Sequence, residues 1–127
     1  MAKDGVTNPV VKARMDNMQV IRTNTGTLGD MAQGKTVFDA AAATEAKTAL
    51  AAAAAEIVKA FEANEDDPVS EATPKIWENY ADFTAKAEAL VAAAEAADTS
   101  SLDGLRKGMG AIGGSCKACH EGYRLER

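Results

Sequence analysis

A chain of 127 residues with a net charge of −5 has room for one hydrophobic core, and so for a single domain spanning residues 1–127. Its acidic balance, with no lysine–arginine cluster, excludes a nucleic-acid-binding stripe and docking on anionic lipid, and no apolar run spans a membrane once the alanine tracts are discounted. Alanine occurs 28 times and proline only three, which favours helix, while the aromatic share of 5 % leaves large apolar side chains scarce, so a bulky apolar cofactor would supply missing interior.

Residues 1–15 contain no apolar h-region, so for a protein working outside the cytoplasm this sequence would be the mature form with a restart methionine. The first predicted helix runs from about Pro9 to Leu28. Asn8 suits the N-cap and Pro9 the first helical position. Val11, Arg14, Met15, Met18, Ile21 and Thr25 recur at steps of three and four and share a face. Gly26 and Gly29 weaken its end, and the region of Gly34 reads as loop. A second helix, almost all alanine, is predicted from about Asp39 to Ala63, with Leu50, Ile57, Val58 and Phe61 supplying its bulk. An acidic segment from Asn64 to Ala72, containing Pro68, connects it to a third helix. That helix takes Thr73 as N-cap and Pro74 as its first residue, carries Ile76, Trp77, Tyr80, Phe83, Leu90 and Val91, and ends near Ala97. The fourth is capped by Ser100 or Ser101, has Asp103 in its first turn, and continues through Leu105, Met109, Ile112, Cys116 and His120 to Tyr123. Four such helices with short connections predict an all-α, antiparallel up-down-up-down four-helix bundle.

Both cysteines and the one histidine fall in Cys116-Lys117-Ala118-Cys119-His120. C-x-x-C-H is the haem c attachment pattern. On a helix, positions i, i+3 and i+4 share a face, so two thiols meet two vinyl groups on one porphyrin edge while the imidazole reaches the iron from the same side. Three other readings compete, of which two buried structural cysteines with an incidental histidine would leave the clustering of all three unexplained. A redox dithiol usually opens a helix that follows a strand, and no strand pattern is present. A zinc site needs three or four protein ligands, and no Cys or His lies elsewhere. Gly108, Gly110, Gly113 and Gly114 precede the pentapeptide at a cost of about 1 kcal/mol each against alanine, which suggests a close approach to the backbone.

With His120 as one axial ligand, the sixth iron position falls to methionine, water, an exogenous ligand or nothing. Met15 and Met18 lie on the apolar face of the first helix, and Met18 is the candidate for distal contact or ligation; core filler is the bland alternative. Arg14 and Arg124, each about one turn from a site residue, are candidates for the haem propionates. Phe83, Trp77 and Tyr123 are candidate pocket walls. No general-base constellation points to an enzyme.

The segment Gly113-Gly114-Ser115-Cys116-Lys117-Ala118-Cys119-His120-Glu121-Gly122-Tyr123-Arg124 resembles the C-terminal haem segment of the cytochrome c′ family. So do Pro74-Lys75-Ile76-Trp77-Glu78 followed by Phe83, Val11-Lys12-Ala13-Arg14 followed by Met18, and the Gly34-Lys35 turn before Phe38-Asp39-Ala40. The resemblance runs nearly end to end. It implies one covalent haem c, a periplasmic location, a homodimer formed through the first two helices, and iron that is often five-coordinate behind an apolar distal residue. It also implies binding of small gases such as NO and CO, and roles in NO handling or electron transfer with an unidentified redox partner. By position it places Arg14 and Met15 beside the haem edge and propionates, Glu71 at a haem-proximal polar position, Phe83 in the pocket wall, and Arg124 beside His120. A low-spin branch of the family ligates iron through a first-helix methionine, and Met18 stands there, so a Met18-ligated electron carrier is the alternative. A haem-free helical dithiol bundle is the alternative from another class.

Overall fold

A computed structural model describes residues 5–65, 70 and 72–124. There are four long helices, α1 (Pro9–Ala32), α2 (Ala40–Ala60), α4 (Tyr80–Ala96) and α5 (Leu102–Tyr123), and one extra turn, α3 (Lys75–Glu78), before α4. They form an antiparallel up-down-up-down bundle, because the tertiary bonds between neighbouring helices pair the start of one with the end of the next. Arg14 Nε donates to Ala60 O at 2.8 Å, the Thr44 and Thr99 hydroxyls meet at 2.7 Å, the Tyr123 hydroxyl donates to the Asp82 carboxylate, and Arg106 Nε donates to Ala32 O at 2.8 Å.

Local chemistry sets most of the boundaries. The Asn8 side chain accepts from Val10 N and Val11 N ahead of Pro9, and Asp39 does the same for Ala41 N and Ala42 N. Of the two candidate caps for α5, Ser101 accepts from Gly104 N at 3.0 Å, while Ser100 is bonded to Asp98. α1 runs four residues beyond Leu28, because the stop is Gly34, at φ 78°, rather than Gly26 or Gly29.

The predicted third helix is corrected twice. Thr73 does not cap it: Pro74 holds that position, and Thr73 Oγ1 is buried without a hydrogen-bond partner. The helix also breaks at Asn79 (φ −128°, ψ 47°), a residue with weak helix preference, and divides into α3 and α4. Side chains on either side of the break turn to the end of α2. Trp77 Nε1 donates to Phe61 O at 2.8 Å and Tyr80 Oη to Val58 O at 2.5 Å, satisfying carbonyls that a helix terminus leaves open.

The core joins all the helices: Ile21 and Leu28 from α1, Leu50 and Ile57 from α2, Ile76 from α3, Phe83 and Leu90 from α4, and Leu105 and Ile112 from α5. The buried alanines of α2, Ala43, Ala46, Ala53 and Ala54, face this core. Of the neighbouring long helices, α1 and α5 touch least, and the seam between them opens into the main cavity.

Candidate functional site: a cavity between the first and last helices

The cavity measures about 800 Å³, within the usual range for small-molecule sites. One wall is the inward face of α1, from Val11 through Arg14, Met15, Met18 and Thr25 to Gly29. The other is α5, with Met109, Cys116, Cys119, His120 and Tyr123, and Phe61, Ile76 and Phe83 close the back. The structure therefore brings Arg14, Met15, Met18, Phe83, Cys116, Cys119, His120 and Arg124 to one cavity. Glu71 lies outside the described residues.

Cys116 and Cys119 are unpaired, half-buried thiols on adjacent turns of one face of α5. His120, at the exposed edge of that face, follows directly. Burial pushes both thiols above their ordinary range. They also stand near the C-terminal end of α5, whose dipole disfavours an anion. A disulfide-exchange dithiol works through a thiolate of lowered pKa, so this environment opposes that reading. Two half-buried, neutral sulfurs and an imidazole on one cavity wall fit covalent attachment of a flat apolar group.

Met15 and Met18 are partly buried on the facing α1 wall, and Met18 packs against the core. Met109 stands on the α5 wall, within reach of Gly29 across the seam: a Cβ added at Gly29 would lie 3.9 Å from its methyl carbon.

Arg14 is only 4 % exposed. Its Nε donates to Ala60 O and one Nη to Glu65 O, each at 2.8 Å, and the other Nη donates to Ala63 O. Its guanidinium carbon lies 4.5 Å from the centre of the Phe61 ring and 5.3 Å from that of Trp77. It both lines the cavity and fastens the chain that leaves α2. Trp77 packs beside Phe61, with ring centres 6.4 Å apart, and does not itself line the cavity.

Arg22, Lys35 and Arg124 are exposed at the cavity rim. Among the described residues they and Arg14 give the lining four cationic side chains against one carboxylate, Asp30, on a chain whose net charge is −5. Sequence reasoning missed Arg22, Lys35 and Gln33. Arg22 does follow Met18 by four positions, but an exposed arginine on a helix carries no signal of its own.

The glycines of α5 behave otherwise than their spacing suggests. Gly108 does admit a close neighbour, since an added Cβ would lie 3.0 Å from that of Ala97, but this is the end of α4 and not the cavity. Gly110, Gly113 and Gly114 are exposed with nothing within 4 Å of an added Cβ.

Comparison with known proteins agrees with this arrangement. The family model described as Cytochrome C′ matches residues 9–124. Cytochrome c-556 of Agrobacterium tumefaciens is 37 % identical over 122 residues, covering 91 % of this chain and 94 % of that protein. A solved cytochrome c′ from Rhodobacter Spheriodes superposes with a TM-score of 0.85 at 30 % identity, over 93 % of this chain and 96 % of the other. A ferrous variant of the cytochrome c′ of Alcaligenes xylosoxidans, solved with bound NO, gives a TM-score of 0.82 at 30 % identity, over 93 % and 94 % of the two chains. This helical bundle, with two half-buried thiols and a histidine on one cavity wall and matched almost end to end in sequence and in shape, belongs to the cytochrome c′ family of haem c proteins.

Proposed function

We propose that Cys116 and Cys119 attach one haem c through thioether bonds, that His120 is its axial iron ligand, and that the α1 side of the cavity admits NO or CO. The observation that carries this reading is the position of both thiols and the imidazole on the cavity wall opposite Met15 and Met18. The NO-bound relative supports a gas ligand for this cavity as well. Haem supplies iron that takes up an electron and binds a diatomic ligand.

The protein's own residues do the rest. Cys116 and Cys119 would hold the haem covalently to α5, and His120 would bind its iron from the same wall. Met18 and Met15, with Ile21 and Phe83 behind them, keep the opposite face apolar and exclude water. The rim cations Arg22, Lys35 and Arg124 suit the two propionates through charge-assisted hydrogen bonds. Arg14 holds the end of the cavity closed at the chain leaving α2.

The partners of this reading are small gases and an unidentified redox protein. Its setting is the periplasm, as the family resemblance implies, and no helix among the described residues is long and apolar enough to cross a membrane. A homodimer through α1 and α2 would cover Val20, which is 45 % exposed on α1. The role is binding or electron transfer rather than enzymatic turnover.

A second reading, a low-spin electron carrier ligated by Met18, draws on the partly buried Met18 at the cavity wall and on the similarity to a cytochrome c-556. Visible spectra of protein matured with covalent haem separate the two. High-spin ferric iron with a CO- and NO-sensitive ferrous spectrum supports the first, and a methionine-to-iron band selects the second. A polypeptide of bare mass with no pyridine haemochrome rejects both.

A further inference from the structure

We propose that Tyr123, anchored by Asp82, is the positioning residue for His120, holding the haem-bearing turn of α5 against α4. This rests on His120 being the iron ligand.

Tyr123 lies three residues beyond His120 and is tied at both its side chain and its main chain. Its hydroxyl donates to Asp82 Oδ2 on α4. Lys86, one turn further along α4, donates to both Asp82 oxygens at 2.9 and 2.8 Å, which holds the carboxylate in place. The Tyr123 carbonyl accepts from Thr73 N at 2.9 Å, across the end of the bundle. Its ring is 7 % exposed and stands edge-on to Phe83, at 5.4 Å between centres and 85° between planes.

Elsewhere in this turn Glu121 pairs with Lys117 at 3.7 Å, an exposed contact within α5 itself. Glu121 and Gly122 are exposed, and Gly122 presents no side chain to any neighbour. Arg124 N closes the turn by donating to His120 O at 3.1 Å, so a displacement of residues 123 and 124 is passed directly to the backbone of His120. A metal-bound imidazole owes its orientation to the groups that brace it. In this chain one such brace is a hydrogen bond between helices, 41 positions apart in sequence.

The test uses holoprotein carrying Tyr123→Phe, Asp82→Ala and Asp82→Asn. The readouts are the resonance Raman iron–imidazole stretch of the ferrous form, taken after CO photolysis so that the sixth position is open, and the reduction potential. Phe keeps the ring and loses only the donor; Asn keeps an acceptor and loses the charge. Tyr123→Phe and Asp82→Ala are expected to shift and broaden the iron–imidazole band and lower the potential, while Asp82→Asn stays close to wild type. An unchanged band in Tyr123→Phe, with haem attached and helix content intact, overturns the proposal even if thermal stability falls. So does Asp82→Asn behaving as Asp82→Ala, because charge rather than anchoring would then be at work. Absence of an iron–imidazole band in wild type, where haem is bound, overturns instead the assignment of His120 on which the inference rests.

Discussion

The Arg14 guanidinium carbon sits 4.5 Å from the centre of the Phe61 ring, while its Nε reaches past that ring to the carbonyl of Ala60 at 2.8 Å. One buried side chain thus meets the last carbonyl of α2 and two carbonyls of the segment that leaves it, and stacks on the residue that caps the helix. The rigid fork of arginine suits three separate acceptors in a way the single ammonium of lysine does not. We expect Arg14→Lys to destabilise the holoprotein by about 1–3 kcal/mol and Arg14→Met by more, since each leaves carbonyls without donors. Urea unfolding followed by circular dichroism checks this; an unchanged midpoint in both variants would show that the carbonyls find water instead.

The Tyr123–Asp82 contact predicts a pH dependence of stability. Hydrogen bonding to the Asp82 carboxylate, with burial second, pushes the Tyr123 hydroxyl up from an ordinary 10.0 to about 12. A folded-state value raised above the unfolded one means stabilisation fully present below pH 10 and lost as pH rises towards 12. Asp82 moves the other way, held below its ordinary 3.8 chiefly by its bonds to Lys86 and then Tyr123. Its contribution is present above that value and lost as pH falls through the lowered one. Thermal midpoints of wild type and Tyr123→Phe should therefore differ at neutral pH and converge at both extremes. A difference that holds constant from pH 7 to 12 contradicts the assignment.

Met18 offers a direct test of the facing wall. With Met18 as an apolar cover, Met18→Ala leaves ferric iron high-spin and speeds CO association several-fold by opening the approach, whereas Met18→Leu stays near wild type. Flash photolysis and visible spectra report both. Conversion from low to high spin in Met18→Ala would instead identify Met18 as the sixth ligand.

Two glycines of α5 should respond oppositely to the same substitution. Gly110 has open space around it, so Gly110→Ala should stabilise by about 1 kcal/mol through helix propensity alone. At Gly104 an added Cβ would lie 2.7–2.9 Å from Asp98 atoms. Gly104→Ala therefore displaces the Asp98 side chain, which accepts from Ser100 N at 2.9 Å, and should lose stability despite the gain in propensity. Thermal denaturation of the pair, read side by side, settles the contrast.

The site's chemical core was legible in the sequence because it is local. Cys116, Cys119 and His120 fall on one face by helical geometry alone, Asn8 and Ser101 mark helix starts through bonds that span two or three residues, and Pro9 does so through its fixed φ. Periodicity on α1 likewise placed Arg14, Met15 and Met18 on one face, and the antiparallel bundle followed from four long helices with short links. Only the tertiary structure decided the break at Asn79, where Trp77 and Tyr80 turn to carbonyls of α2, and the seating of Arg14 on Ala60, Ala63 and Glu65. The same holds for the anchoring of Tyr123 on Asp82 and the gathering of Arg22 and Lys35 at the cavity rim. These depend on how neighbouring helices register against each other. Register is fixed by packing of the whole core, and no short stretch of sequence contains it.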